Sequence, residues 1–325
     1  MINDKRRGWR DDVQQVDHAL GKLRARVARL SPQSIRRGLL LVVSELERRY
    51  ERPPTKGIST GLSSVDRLLG GLRPGEVSVL AARPWMGTTS LALGWALAAA
   101  DRSTPTLLFS PELSTAALVE RLLRARSRVD AVRIRTGMLE TAHWVRITRS
   151  ASELSELPIQ IDDHPSPSLD GICDAVHRWR ADEALFSAAD MLGLVVIDAA
   201  RYVRSSLAAR CNGYELGRRI KELATSTRTH MVVVGSISSA VDHRADHRPV
   251  LQDLRPRGLD RAADAVAFLY RDEVYSKDRC AEEDRWIAEL IVPKNSSGPS
   301  GTVRLRFLNH LSRFEVVPED ADAQP

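Results

Sequence analysis

The chain has 325 residues, 43% of them hydrophobic, with 48 Lys and Arg against 42 Asp and Glu. That apolar content suits one large core or two small ones, and no run approaches the roughly 20 apolar residues of a membrane span. The charged start (Lys5, Arg6, Arg7, Arg10) has no apolar stretch behind it, so no signal peptide is expected. Cys173, Cys211 and Cys280 are too far apart for a C-x-x-C pair, which excludes a familiar zinc or disulfide framework and fits a reducing cytoplasm.

The charge is uneven. Residues 1–56 carry 14 Lys and Arg against 7 Asp and Glu, leaving 34 against 35 for the remainder. A basic arm ahead of a near-neutral body suggests an acidic partner such as nucleic acid, with a solvated helix face as the plainer reading. Within 1–33, Val13, Val16, Leu20, Leu23, Val27 and Leu30 recur at helical spacing and stop at Ser31-Pro32. A second amphipathic stretch, 34–50, sets Leu39, Leu40, Val43, Leu46 and Tyr50 on one face. Pro53-Pro54 then breaks it, so 34–56 reads as a helix and linker.

From Gly57 onward, strands are expected at 77–81, 106–109, 192–197, 231–234, 265–270, 289–292 and 303–307. Helices are expected at 89–100, 115–128, 169–180 and 214–227. The alternation predicts an α/β domain over 57–317 with a largely parallel central sheet, preceded by short helices. The tail 318–325 is acidic and expected to be disordered. No internal repeat is visible.

The most informative stretch is Ala81-Ala82-Arg83-Pro84-Trp85-Met86-Gly87-Thr88-Thr89-Ser90, between an apolar strand and a helical run. A working phosphate loop reads G-x-x-x-x-G-K-[ST]: backbone N–H groups cradle phosphates, Lys reaches the outer oxygens, and the hydroxyl holds Mg²⁺. Gly87 and Thr89 stand where Gly and the hydroxyl belong; Ala82 replaces the first Gly and Thr88 the Lys. The loop speaks for nucleotide binding and against hydrolysis.

With its surroundings, the loop resembles the motor domain of DnaB-like replicative helicases. The likeness runs through Gly57-Ile58-Ser59-Thr60-Gly61-Leu62, Gly71-Leu72-Arg73-Pro74-Gly75, Phe109-Ser110-Pro111-Glu112-Leu113 and Val195-Val196-Ile197-Asp198. It continues through Arg244 to Val250, Asp253-Leu254-Arg255, Tyr270-Arg271-Asp272-Glu273-Val274-Tyr275 and Ser312-Arg313-Phe314, covering roughly 34 to 317 in family order. In that family Ala82 is usual and Thr88 is not. The resemblance implies a RecA-like P-loop NTPase fold and ATP with Mg²⁺ as cofactors. It also implies single-stranded DNA as partner, and a hexameric ring tied together by the helix at 34–50. By the resemblance, the short arm is expected to stand where typical DnaB proteins have a large N-terminal helical domain.

By family position, Thr89 and Asp198 would hold the metal and Glu112 would activate water. Gly87, Thr88, Thr89, Arg83 and Arg271 would meet the nucleotide, and Lys294 would reach a neighbour's site. The family's K-x-R finger reads Lys294-Asn295-Ser296 here, and the strand that usually ends in S-Q reads Gly235-Ser236. No lysine occurs between Lys56 and Lys221 to replace the missing one. A lost charged hydrogen bond weakens binding about 10- to 150-fold, and a lost arginine finger costs about 10³–10⁵ in rate.

For DNA, the family's D-L-R-E-S-G loop reads Asp253-Leu254-Arg255-Pro256-Arg257-Gly258, with Arg244 and Arg248 upstream. Arg244, Arg255, Arg257 and Gly258 are the candidate strand contacts, and Arg201, Arg204 and Arg210 follow Asp198 on a second inward loop. The plainer reading pairs these arginines with Asp242, Asp246 and Asp253. The expectation is a pseudo-helicase acting with replication proteins or a true helicase. An active 5′–3′ helicase with a rewired loop, and an interaction module that no longer binds DNA, remain the alternatives.

Overall fold

The computed structural model describes residues 34–36, 38–40, 43, 57–188, 191–205, 212–275 and 285–317. Two units separate, Met1–Thr55 and Lys56–Pro325. In the first, described residues between 35 and 43 are helical, and Ile35, Leu39, Leu40 and Val43 are exposed. The expected arm 1–33, most of 34–56 and the tail 318–325 lie outside the described residues.

The second unit opens with α1 (Ser63–Leu69), held in a loop closed by an Ile58–Leu72 bridge. The Asp66 carboxylate fixes this turn by accepting from Ser59 Oγ, from Thr60 N–H at 2.7 Å and from Thr60 Oγ1 at 2.7 Å. Then follow β1 (Val77–Ala82), α2 (Thr88–Ala100), β2 (Thr106–Phe109), α3 (Thr115–Ser127), α4 (Ala131–Thr136), α5 (Thr141–Ser155) and β3 (Ile159–Asp162). Next come α6 (Leu169–Arg180), β4 (Leu194–Ile197), α7 (Gly213–Thr227), β5 (His230–Ile237), β6 (Leu254–Arg255), α8 (Leu259–Ala262) and β7 (Ala265–Tyr270). The chain closes with β8 (Ile287–Asn295), β9 (Gly301–Leu308) and β10 (Arg313–Val316).

Six strands run parallel in the order β7-β1-β5-β4-β2-β3, and β8, β9 and β10 extend the β7 side antiparallel. Buried on both faces, the central strands read as continuous apolar runs. Leu80, Leu108, Val196, Val232 and Val234 face α2 and α3, while Val79, Leu107, Val195, Ile197 and Val233 face α6 and α7. At the amino ends of β1 and β7, Asp264 accepts from Val77 N–H and from Lys221 Nζ, each at 2.7 Å. Lys221 also donates to the Gly75 carbonyl, so one cation ties α7 to the sheet edge.

All seven expected strands and four expected helices are present. Strands β5 and β8 run past the expected ends because Gly235, Ser236, Lys294 and Asn295 continue the backbone ladder with less apolar side chains. Strand β4 begins two residues late, after Gly193, where a Cβ would lie 2.9 Å from Trp179. The short or exposed elements α1, α4, α5, α8, β3, β6 and β10 go beyond what the sequence predicts. Helix α5 buries only Ser150 fully and leaves Trp144 and Val145 exposed.

Asp66→Ala removes three hydrogen bonds to one carboxylate. It is expected to lower unfolding stability by about 2–3 kcal/mol, read as a fall in the urea midpoint at unchanged slope.

Candidate nucleotide and strand-binding site

The parallel strands bring the candidate residues together at their carboxyl ends, where ligands of open α/β sheets bind. The phosphate loop follows β1, Glu112 follows β2, Asp198 follows β4, and Arg271 follows β7. Gly87 caps α2 with φ 101°, and a Cβ there would lie 3.1 Å from Phe314 and 3.3 Å from Phe307. The two rings stack at 4.4 Å beneath the loop. No side chain caps α2, so its first-turn N–H groups face the loop as an anion cradle.

Trp85 has φ 71° and is 89% exposed, and its carbonyl accepts from Arg271 Nη1 at 3.1 Å. Arg271 is buried, lies 4.5 Å from the centre of the Phe307 ring and pairs with Glu273. It therefore clamps the phosphate loop from behind.

Thr89 Oγ1 donates to Asp198 Oδ2 at 3.1 Å, bringing the expected metal pair together. Asp198 is only 7% exposed. Burial raises its pKa to about 6, with the Thr89 bond opposing the rise and the Glu112 charge adding to it. Ser110 Oγ, buried without a partner among the described residues, lines a small cavity with Thr89 and Asp198. A hydroxyl, a carboxylate and an unsatisfied polar atom suit a hydrated Mg²⁺, so the donor set fits the cofactor.

The candidate nucleotide-binding cations are each engaged within the domain. Arg83 forks onto Asp242, with Nε–Oδ1 3.1 Å and Nη2–Oδ2 2.7 Å, and Nη1 donates to the Ile237 carbonyl. Its charge is thus already matched. Glu112 accepts from Arg201 and from Tyr202 Oη, the latter at 3.0 Å. Lys294 pairs in register with Val266, near the amino end of β7 and so at the opposite edge of the sheet from its own phosphate loop. Its Nζ donates to the Asp260 and Ala263 carbonyls at 2.8 and 2.7 Å. Thr88 opens α2 and brings no charge. Arg121 of α3, not foreseen, lies near enough to offset slightly the rise at Asp198 and lines the flank of α2 beside Ser90.

Among the strand candidates, Arg244 donates to Asp253 Oδ2 at 2.6 Å, and Arg248 forks onto Glu289 with one bond of 2.8 Å. Arg244 thus has one of the expected acids as partner, while Arg248 takes Glu289 of β8 and lies 3.4 Å from the expected Asp246. Arg255 bonds the Gln252 and Leu254 carbonyls of its own loop, while Arg257 is exposed with no ion pair or side-chain hydrogen bond among the described residues. Gly258, φ 95°, opens α8. Arg210 lies outside the described residues.

Fold and loop together define a domain of the RecA-like P-loop NTPase fold. The family model for the DnaB-like helicase C terminal domain matches residues 57–316, and the chain belongs to that family. It is 34% identical over 264 residues to the replicative DNA helicase DnaB of Geobacillus stearothermophilus, covering 79% of this chain and 56% of that protein. Against the replicative DNA helicase DnaC of Bacillus subtilis (strain 168) it is 31% identical over 289 residues, 87% of this chain and 62% of that one. The chain thus spans less than two thirds of these relatives. A solved ATPase domain superposes with TM-score 0.78 at 27% identity, over 88% of this chain and all of that one. A DnaB-like replicative helicase, solved in a study of its interactions with primase, gives 0.77 at 26% identity, over 88% and 68%.

Asp198→Asn tests the site's electrostatics without nucleotide. The folded pKa lies above the unfolded value of 3.8, so the folded state binds the extra proton and stability falls as pH rises from about 4 to 6. The Asn variant is expected to lose that fall and to gain up to about 3 kcal/mol at pH 7.5, measured by urea unfolding across pH.

Proposed function

We propose that this domain is a nucleotide- and single-stranded-DNA-binding component of a ring in DNA replication, with little or no ATP hydrolysis. One observation carries the reading. The cradle and the Thr89–Asp198 pair are formed, yet Thr88 supplies no charge and Arg83, Arg201 and Arg271 are each matched to a carboxylate. Phosphoryl transfer depends on positive charge placed at the transferring group. In this reading Thr89 and Asp198 hold Mg²⁺, which would neutralise phosphate charge when bound. The first-turn N–H groups of α2 hold the phosphates, and Glu112 remains engaged with Arg201 and Tyr202.

Self-assembly is supported by two exposed apolar faces. Helices α3 to α5, with the turn between α4 and α5, expose Val119, Val132, Met138, Trp144 and Val145; the described helical residues near 40 expose Ile35, Leu39, Leu40 and Val43. In this reading these residues form the association surface, as contiguous exposed apolar patches do. A helix from one copy seated on α3–α5 of the next would build the ring, with the Lys294 edge of the sheet turned toward a neighbour. Replication proteins, including a true helicase of the family, are the proposed partners.

An active motor is the second reading, favoured by the retained Thr89, Asp198 and Glu112. ATP hydrolysis by the purified protein with and without single strands, against Asp198→Ala, separates the two. No rate above the control is expected. A DNA-stimulated rate absent from the control would establish the motor. Thr88→Lys is expected to tighten Mg-ATP binding about 10- to 150-fold by titration calorimetry, whereas a rewired loop would gain little.

A further inference from the structure

Single-strand binding that tolerates any sequence combines backbone-tracking cations with aromatic rings on which bases stack. The sequence places no ring beside Arg255-Pro256-Arg257-Gly258, but the fold brings one there from α7. Gly213, its first residue, sits so close to the loop that a Cβ would lie 2.3 Å from the Arg257 carbonyl oxygen and 2.7 Å from that of Pro256. The next residue, Tyr214, then lies across Gly258, where a Cβ would come within 2.6 Å of the ring. Gly258 holds φ 95°, so lack of a side chain serves both the loop's conformation and the seating of the ring.

Tyr214 is nevertheless 53% exposed. The Arg261 guanidinium stands 5.1 Å from its centroid, Arg257 is exposed and unpaired among the described residues, and Arg255 is half-buried in the same loop. Glu215 and Asp260 are the acids at this corner, outnumbered by the three arginines. An aromatic ring flanked by cations suits a polyanion that carries flat bases. A buried apolar partner would leave these charges desolvated.

We propose that Tyr214 is a base-stacking platform for a single strand whose phosphates lie along Arg255, Arg257 and Arg261. This deepens the function proposed above and rests on its single-strand binding. The Tyr214 ring then contributes through the base and is indifferent to salt, while the arginines contribute through phosphates and carry the salt slope.

The test uses the full chain and two labelled strands of equal length, oligo-dT and an abasic strand, titrated by fluorescence anisotropy across a salt series. Unaltered protein is expected to prefer oligo-dT. Tyr214→Ala should lose about 5- to 150-fold on oligo-dT, with little change on the abasic strand and an unchanged salt slope. Tyr214→Trp should retain the preference, which guards against a loss due to misfolding. Arg257→Ala should weaken both strands alike and reduce the slope by about one. Equal binding of oligo-dT by Tyr214→Ala and unaltered protein overturns the platform. An equal loss on both strands also overturns it and makes Tyr214 a support for the loop. If unaltered protein binds neither strand, single-strand binding itself falls, an outcome distinct from the other two.

Discussion

Six strands running the same way decide where chemistry can occur in this domain. Parallel pairing of β1 with β5 and β7, and of β4 with β5 and β2, sets every carboxyl end on one edge. The phosphate loop, Glu112, Asp198 and Arg271 meet there, although Trp85 of the loop and Arg271 are 186 residues apart along the chain. Strand direction, more than distance along the chain, brings them together. The antiparallel extension serves the same edge, because β9 and β10 carry Phe307 and Phe314 under Gly87, and Arg271 joins that stack to the Trp85 carbonyl. The shape of the loop therefore rests on aromatic packing as well as on its glycine.

The same edge shows how charge is distributed once the lysine is gone. Asp242 accepts the Arg83 fork and also Tyr275 Oη at 2.9 Å, and the Tyr275 ring stacks on His247 at 4.2 Å. Burial, reinforced by the bond to Asp242, lifts the Tyr275 pKa to about 12, so the phenol stays a donor at neutral pH. Through these contacts the phosphate loop is joined to the segment that carries Arg244 and Arg248. An arginine committed in this way serves the loop's position, and it offers little further charge to an incoming phosphate.

Much of this is legible in the sequence, for identifiable reasons. Buried parallel strands announce themselves as apolar runs, and the residues after them are strand-end positions by definition, so Glu112 and Asp198 can be placed from the residues alone. Helix α5 and strand β3 are less legible, because α5 leaves Trp144 and Val145 exposed and β3 has only four residues, none of them fully buried. Side-chain pairing is less legible still. Arg83 sits in the loop by sequence, but its partner Asp242 is 159 residues away. Tyr214 and Gly258 meet only because α7 docks on the loop, and two glycines at the contact are the available signal.

Asp198 bears on whether the site still has a ligand. The loop's form and the Phe307–Phe314 stack contribute to folding, so their presence says little about nucleotide. A carboxylate held at a pKa of about 6 is different: its charge in the empty fold costs about 3 kcal/mol at neutral pH. That cost is what remains after the opposing Thr89 bond is counted. Such a cost is understandable where a divalent cation arrives to meet the charge. In the function proposed above, that cation would be the Mg²⁺ held by Thr89 and Asp198, and Thr88 leaves those two groups in place.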